Sequence, residues 1–214
     1  TPGFLYFLMK TRLFDSHGFE SKRATLNLLR YIENYAPDII HIHNLHGYYL
    51  NIELLFSYLK SLSTPIIWTL HDCWAFTGHC AYFTAVNCTQ WKTGCTVCPA
   101  LKAYPKCILK GNVSKNYQRK REIISSLNNI TIVTPSFWLA QIVQASFLNK
   151  YPTYTIPNGI DLNIFKPTVS NFRQKYSLED KIIILGVANK WEPRKGLNDF
   201  IELANLLEKN YQIV

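Results

Sequence analysis

Asp38-Ile39-Ile40-His41-Ile42-His43 and, after an intervening segment, Pro65-Ile66-Ile67-Trp68-Thr69-Leu70 are the stretches that decide the fold. Each is a short apolar run rich in β-branched residues, the kind that fills buried parallel strands. Between them, residues 50–62 carry apolar side chains at helical spacing. The order is therefore strand, helix, strand, the unit of a parallel crossover. Upstream, Ser21 stands where an N-cap belongs, and Leu26, Leu29, Ile32 and Tyr35 recur at helical spacing until Pro37 ends the run.

Working downstream, a long irregular stretch over 71–110 leads to a helix predicted over 113–127 and a strand over 130–134. Ser136 then caps a helix reaching about residue 147, and 154–156 forms a further strand. Pro157-Asn158-Gly159-Ile160-Asp161, with Pro167 beyond it, is turn-rich and reads as a connector. After it come a strongly apolar strand over 181–188, a helix over 197–207 and another strand beginning at Tyr211. The class is α/β, with a first domain over 1–157, a linker over 158–170 and the start of a second domain over 171–214.

Composition supports a packed core: of 214 residues, 48% are hydrophobic and 17% charged, which excludes a disordered chain. The formal net charge of +9 favours an anionic partner. Only Lys115, Arg119, Lys120 and Arg121 are dense, and their spacing suggests one side of a helix, either a solvated face or an anionic-surface contact. No ribonucleoprotein-type or helix-turn-helix signature accompanies the charge, so nucleic acid is not an expected partner. The apolar start, residues 1–9, is far too short to cross a bilayer, which takes about 20 residues, and it lacks the basic region and cleavage site of a signal peptide. A cytoplasmic location is the expectation.

Four groups of residues could carry chemistry. Arg194-Lys195-Gly196 falls between a strand and a helix, at the edge where open α/β sheets bind ligands, and two cations beside a helix N-terminus suit a phosphate; the plain alternative is a solvated basic turn. His71 and Asp72 follow the strand 66–70 at the same kind of edge, where His71 could meet a sugar hydroxyl or a developing charge and Asp72 could fix its tautomer. His41, His43 and His46 invite a metal reading, yet no nearby carboxylate ligand supports it, and packing is the simpler account. His43 and Asn44, at a strand end, could still line a cleft.

All six cysteines fall within an insertion over 73–107. Cys80, Cys88, Cys95 and Cys98 are candidate ligands of a structural zinc, since Cys95-Thr96-Val97-Cys98 has zinc-ligand spacing, with His79 able to replace one thiolate. Free thiols or a local redox pair are the alternatives, and stable disulfides come last. Trp74, Phe76, Tyr82, Phe83 and Trp91 in the same stretch form the small core of the insertion in one reading and stack on sugar rings in another.

Taken together, residues 37–43, Trp68-Thr69-Leu70-His71-Asp72, Pro157-Asn158-Gly159-Ile160-Asp161 and Arg194-Lys195-Gly196 resemble glycosyltransferase family 4 in order and spacing. The block 71–80 followed by Trp91, Gly94-Cys95 and Cys98-Pro99 resembles the bacterial branch that assembles colanic-acid-like exopolysaccharide or lipopolysaccharide. The resemblance implies the GT-B architecture, two Rossmann-like domains of which the first is nearly complete here and the second only begun. It implies a retaining hexosyl transfer from a UDP- or GDP-sugar to a saccharide or lipid-linked saccharide, with no metal cofactor for the chemistry and peripheral contact with the inner membrane.

The same resemblance implies His71, Arg194 and Lys195 as catalytic residues, Arg194, Lys195, Gly196 and Asn158 as donor-binding residues, and His43, Asn44 and Asp72 as acceptor-side residues. The family's glycine-rich loop and its paired glutamates are expected to fall before residue 1 and after Val214, so the 214 residues alone are expected to turn over no sugar nucleotide. A non-catalytic zinc-binding or interaction module centred on the cysteines is the competing reading.

Overall fold

The two apolar runs become neighbours in a four-stranded parallel sheet. A computed structural model describes residues 2–214, and the chain divides into two compact units, Thr1–Asn158 and Gly159–Val214. In the first, α1 (Pro2–Phe14) and α2 (Lys22–Tyr35) precede β1 (Ile40–Ile42), followed by α3 (Ile52–Lys60), β2 (Ile66–Thr69), α4 (Val113–Ser125), β3 (Ile130–Thr134), α5 (Phe137–Gln144) and β4 (Thr153–Thr155). The sheet order is β1-β2-β3-β4, with Ile42 opposite Trp68 and Trp68 opposite Ile132. Because every strand runs the same way, all four carboxyl ends lie along one edge.

One face of the sheet makes the core. Ile42, Ile66, Trp68, Ile130 and Ile132 are buried together with Phe56 and Leu59 of α3, and the Phe56 and Trp68 rings lie 5.3 Å apart. A fully buried side chain of this size contributes about 2–3 kcal/mol through the hydrophobic effect. The opposite face is only partly covered: His41 and Tyr154 are exposed and Ile67 and Thr131 half-buried. The expectation of strands buried on both faces therefore holds for one face only, the alternation of two residues per repeat placing His41 on the open side.

Local signals explain where most elements begin. Asn51 caps α3 by accepting from the Leu54 amide at 3.0 Å and ties the cap to the rest of the unit through Phe19 O and the Thr25 hydroxyl. Ser136 caps α5, accepting from the Leu139 amide at 3.3 Å. Ser21 does not cap α2: it sits in the left-handed region at φ 55° and its hydroxyl donates to Tyr48 O. The α1 helix went unread because its apolar residues show no helical spacing.

The four basic residues of α4 do not share a face. Lys115 and Arg121 are exposed, whereas Lys120 is fully buried. Arg119 forms a two-pronged ion pair with Glu53, at 2.6 Å and 2.5 Å, and its guanidinium lies 3.8 Å from the centre of the Phe19 ring. At about 100° per residue, a run of three consecutive positions must spread around the helix, so the idea of a single basic side fails here.

Residues 12–17, at the end of α1, are stitched to residues 106–116. The Ile108 amide donates to Arg12 O at 2.7 Å, Asn112 donates to Phe14 O and Asp15 Oδ2, and Asn116 donates to Asp15 O. His17 belongs to the same seam, with Nε2 3.4 Å from Lys106 O. Burial holds its imidazole down to about 4, outweighing the nearby Asp15 carboxylate.

His17 thus resists protonation in the fold while the unfolded chain accepts a proton near pH 6.5. The unfolded state is favoured progressively as pH falls from 6.5 to 4, by about 3 kcal/mol in all. Urea titrations across that range should show a decline that His17→Gln flattens; equal slopes for both proteins would count against this account.

In the second unit, α6 (Phe172–Lys175) precedes β5 (Ile182–Ile184), α7 (Leu197–Leu206) and β6 (Tyr211–Ile213), with β5 and β6 paired in parallel. The strand expected over 181–188 is shorter than its apolar run, and Leu185 and Val187 beyond it are exposed. In the connector, the Asn163 amide donates to Asp161 Oδ1 at 2.8 Å, the turn chemistry expected of an Asp there.

Candidate active site

The carboxyl ends of β1 and β2 bring two of the sequence-read histidines into contact. His43 Nδ1 lies 2.9 Å from His71 Nε2, and the two rings stack with an interplanar angle of 13°. One nitrogen of the pair carries the shared proton and the other accepts it. The backbone of His43 is fixed by the Trp68 indole N–H, which donates to His43 O at 2.9 Å, so a buried tryptophan of β2 sets the position of an exposed imidazole just beyond β1. His41, one alternation back, hydrogen-bonds Thr69 Oγ1 through Nε2 at 2.8 Å; burial, then the adjoining His43 and His71 charges, lower its basicity.

Asp72 is placed differently from its neighbour His71. Its Oδ1 accepts from the Trp74 amide at 2.9 Å, opening the 3₁₀ turn Trp74–Phe76, and Oδ2 meets His46 Nε2 at 2.8 Å. His46 Nδ1 is in turn 3.0 Å from the Tyr104 hydroxyl. With Nε2–H donating to the carboxylate, Nδ1 is free to accept from Tyr104, giving a relay Tyr104, His46, Asp72. Burial, helped by the Asp72 charge, raises the Tyr104 phenol above its usual range.

His43, Asn44, His71 and Asp72 all line one small cavity of about 10 Å³ together with His46 and Trp74. His46 and Tyr104 had no local signal beyond loop placement, since their partners lie 26 and 58 residues away.

Arg194, Lys195 and Gly196 stand at the start of α7 in the second unit. The Arg194 Nε is 3.1 Å from Glu192 Oε2, and the Lys195 amide donates to Glu192 O at 2.8 Å. Gly196 occupies the N-cap at φ 75°, where an added Cβ would come within 2.9 Å of Asp199 Oδ2, so the turn that presents the two cations requires glycine. Asn158 closes the first unit, and Gly159 after it does not adopt the left-handed conformation.

The cysteine-rich insertion is a core element. Trp74, Phe76, Phe83 and Trp91 are buried and Tyr82, half-buried, packs against the core that includes them, so the core reading of these aromatics prevails. A second cavity of about 10 Å³ is lined by Cys80, Cys88, Cys95 and Cys98 with His79, Phe83 and Trp91. The Cys80 thiol donates to the Cys98 sulfur, which holds Cys98 down to about 6 and raises Cys80. Cys73, pushed up to about 12 by burial, and Cys107 lie outside this cavity.

All six cysteines are free thiols, and as placed no three His, Cys, Asp or Glu side chains among the described residues form a metal-holding set. Two buried polar arrangements adjoin the insertion. His79 Nδ1 contacts Asp15 Oδ1 at 2.6 Å, both side chains being inaccessible. Lys120 donates to Trp74 O at 2.5 Å and lies 3.9 Å from the centre of the Trp74 ring; burial brings its ammonium down to about 7.

Comparison with known proteins gives concordant matches. A profile of Glycosyltransferase Family 4 matches residues 9–164. Over 75 residues the chain is 39% identical to a protein of Escherichia coli strain K12 named as the colanic acid biosynthesis glycosyl transferase WcaC, covering 33% of this chain and 18% of that protein. Over 80 residues it is 32% identical to the processive diacylglycerol alpha-glucosyltransferase of Acholeplasma laidlawii, covering 36% of this chain and 24% of that enzyme. The matched segments thus span less than a quarter of either relative's length.

Proposed function

The chain belongs to glycosyltransferase family 4, and from that premise we propose that it serves a retaining transfer of a hexose from a nucleotide-diphosphate sugar to a saccharide or lipid-linked saccharide in bacterial surface polysaccharide synthesis. The observation that carries the reading is the His43–His71 pair at the carboxyl ends of adjacent parallel strands, the edge at which such sheets receive ligands. The name of the first relative supports a polysaccharide product and that of the second a lipid acceptor.

In this reading His71 faces the transferred sugar and His43 holds its ring. Arg194 and Lys195 neutralise the charge that develops on the departing diphosphate. That diphosphate itself takes the acceptor proton, so the chemistry calls for no carboxylate base and no divalent ion. Asn44 and Asp72 belong to the acceptor side, Asp72 acting through the His46 relay, and Asn158 and Gly196 to the donor side. Among the described residues no helix is long and apolar enough to cross a membrane; the proposed location is cytoplasmic, with peripheral contact at the inner membrane. The insertion packs into the first unit's core, which favours a support for the enzyme over a separate interaction module.

The reading is tested by assaying the protein, in its complete reading frame, against UDP- and GDP-hexoses with lipid-linked saccharide acceptors. His71→Ala is expected to lower kcat/KM about 100-fold, the cost of losing one positioned donor. His43→Asn, which keeps a nitrogen near the Nδ1 position, should lose far less than His43→Ala. No transfer with any donor, or full activity in His71→Ala, would refute it.

A further inference from the structure

The four cysteines around the insertion cavity have surroundings that free thiols do not need. We propose that this cavity is a structural zinc site with the thiolates of Cys80, Cys88, Cys95 and Cys98 as its ligands. In the structure the sulfurs do not yet stand as a metal-holding set, so binding must draw them inward; the case rests on what encloses them.

The cavity, about 10 Å³, has the room of roughly one water-sized occupant, and four sulfurs line it among aromatic and aliphatic carbon. Cys95-x₂-Cys98 supplies two ligands from one turn, and Cys80 and Cys88 line the same cavity. Gly78 brings the two arms together: a Cβ there would come within 2.4 Å of Val113 O and 2.8 Å of Cys95 Cβ.

His79 gives an independent sign. Its side chain is inaccessible and lines the cavity, its Nδ1 is engaged by Asp15, and its Nε2 has no partner. A buried nitrogen left unpaired is costly; with Nδ1–H donating to Asp15, an Nε2 lone pair in the cavity lining is what a metal ion there would satisfy, His79 being able to stand in for one thiolate. The Asp15–His79 pair then has the form of a carboxylate-oriented imidazole beside a metal centre.

Charge points the same way. Four thiols binding Zn²⁺ release four protons to solvent and leave a centre of net charge −2. The inaccessible Lys120 amine, which feels Cys95 and Cys80, is a buried group whose cation would offset that charge.

The test begins with the unmodified full chain, loaded with Zn²⁺ or Co²⁺, gel-filtered and analysed for metal. About one ion per chain is expected, with a thiolate-to-cobalt charge-transfer absorption for the Co²⁺ form. Cys95→Ser and Cys98→Ser should each weaken retention at least about tenfold, and His79→Gln about tenfold, whereas Cys73→Ser and Cys107→Ser, outside the cavity, should retain the metal. Folded, unmodified protein that holds less than about 0.1 ion per chain overturns the proposal. So does a Cys80–Cys98 disulfide found by mass spectrometry in reduced preparations, or equal loss in Cys73→Ser.

Discussion

Asp15→Ala is expected to lower the unfolding free energy of the first unit by about 2–3 kcal/mol, the cost of leaving a buried donor without its acceptor. The Asp15 carboxylate meets His79 Nδ1 at 2.6 Å and the Asn112 amide at 3.1 Å, so its loss strands one buried donor and frees a second that solvent can reach. His79 would then have no partner on either ring nitrogen. Asp15→Asn keeps one acceptor oxygen and should cost roughly half as much. Urea unfolding of the full chain, followed by tryptophan fluorescence, measures both: Trp74 and Trp91 sit in the affected core. A loss under about 1 kcal/mol for Asp15→Ala would show that the pair contributes only what a surface contact does.

The second large effect concerns activity. Arg194→Ala combined with Lys195→Ala is expected to lower kcat/KM about 10³–10⁵-fold, as when a phosphate-facing cation is removed from a phosphoryl centre. Most of the loss should fall on kcat, because in the proposed transfer the diphosphate gains charge as the sugar–phosphate bond breaks, and the cations would act most strongly then. Arg194→Lys should rescue little, since a point charge replaces a planar fork. Steady-state kinetics against a UDP- and GDP-hexose series decides it: a purely KM effect would make these residues ground-state binders, and no effect would remove them from the donor site.

The sequence legibility was uneven for physical reasons. Ile130–Thr134 was read to the residue because a β-branched run between Asn129 and Pro135 leaves little choice of ends. The helix over residues 113–125 was legible in extent but not in orientation, since the buried Lys120 broke the rule that charge faces water. Its place inside follows from Trp74 O and the Trp74 ring, 46 residues away, which no local pattern reports.

The histidines show the same divide. That His41 and His43 share a face followed from alternation, and their rings are 4.3 Å apart. The contact of His43 with His71 required the register that sets Ile42 beside Trp68. Asp15 carried no signal at all, because its partners lie 64 and 97 residues along the chain. Residues 194–196 were legible as a turn because they fall between an apolar strand run and a helical run, and Gly196 does occupy the N-cap position of α7.

The seam between residues 12–17 and 106–116 also bears on how the protein is made. Translation delivers the amino-terminal segment first, but its hydrogen-bond partners emerge from the ribosome only after roughly half of these 214 residues have been added. Contacts so distant in sequence close late and slowly. Until then the α1 helix, with Leu5, Tyr6 and Met9 facing outward even in the finished fold, is an apolar segment without its anchor. Nascent chains whose residue 116 has not yet cleared the ribosomal exit tunnel should therefore be the species that chaperones and proteases meet, and its emergence should mark the onset of protection.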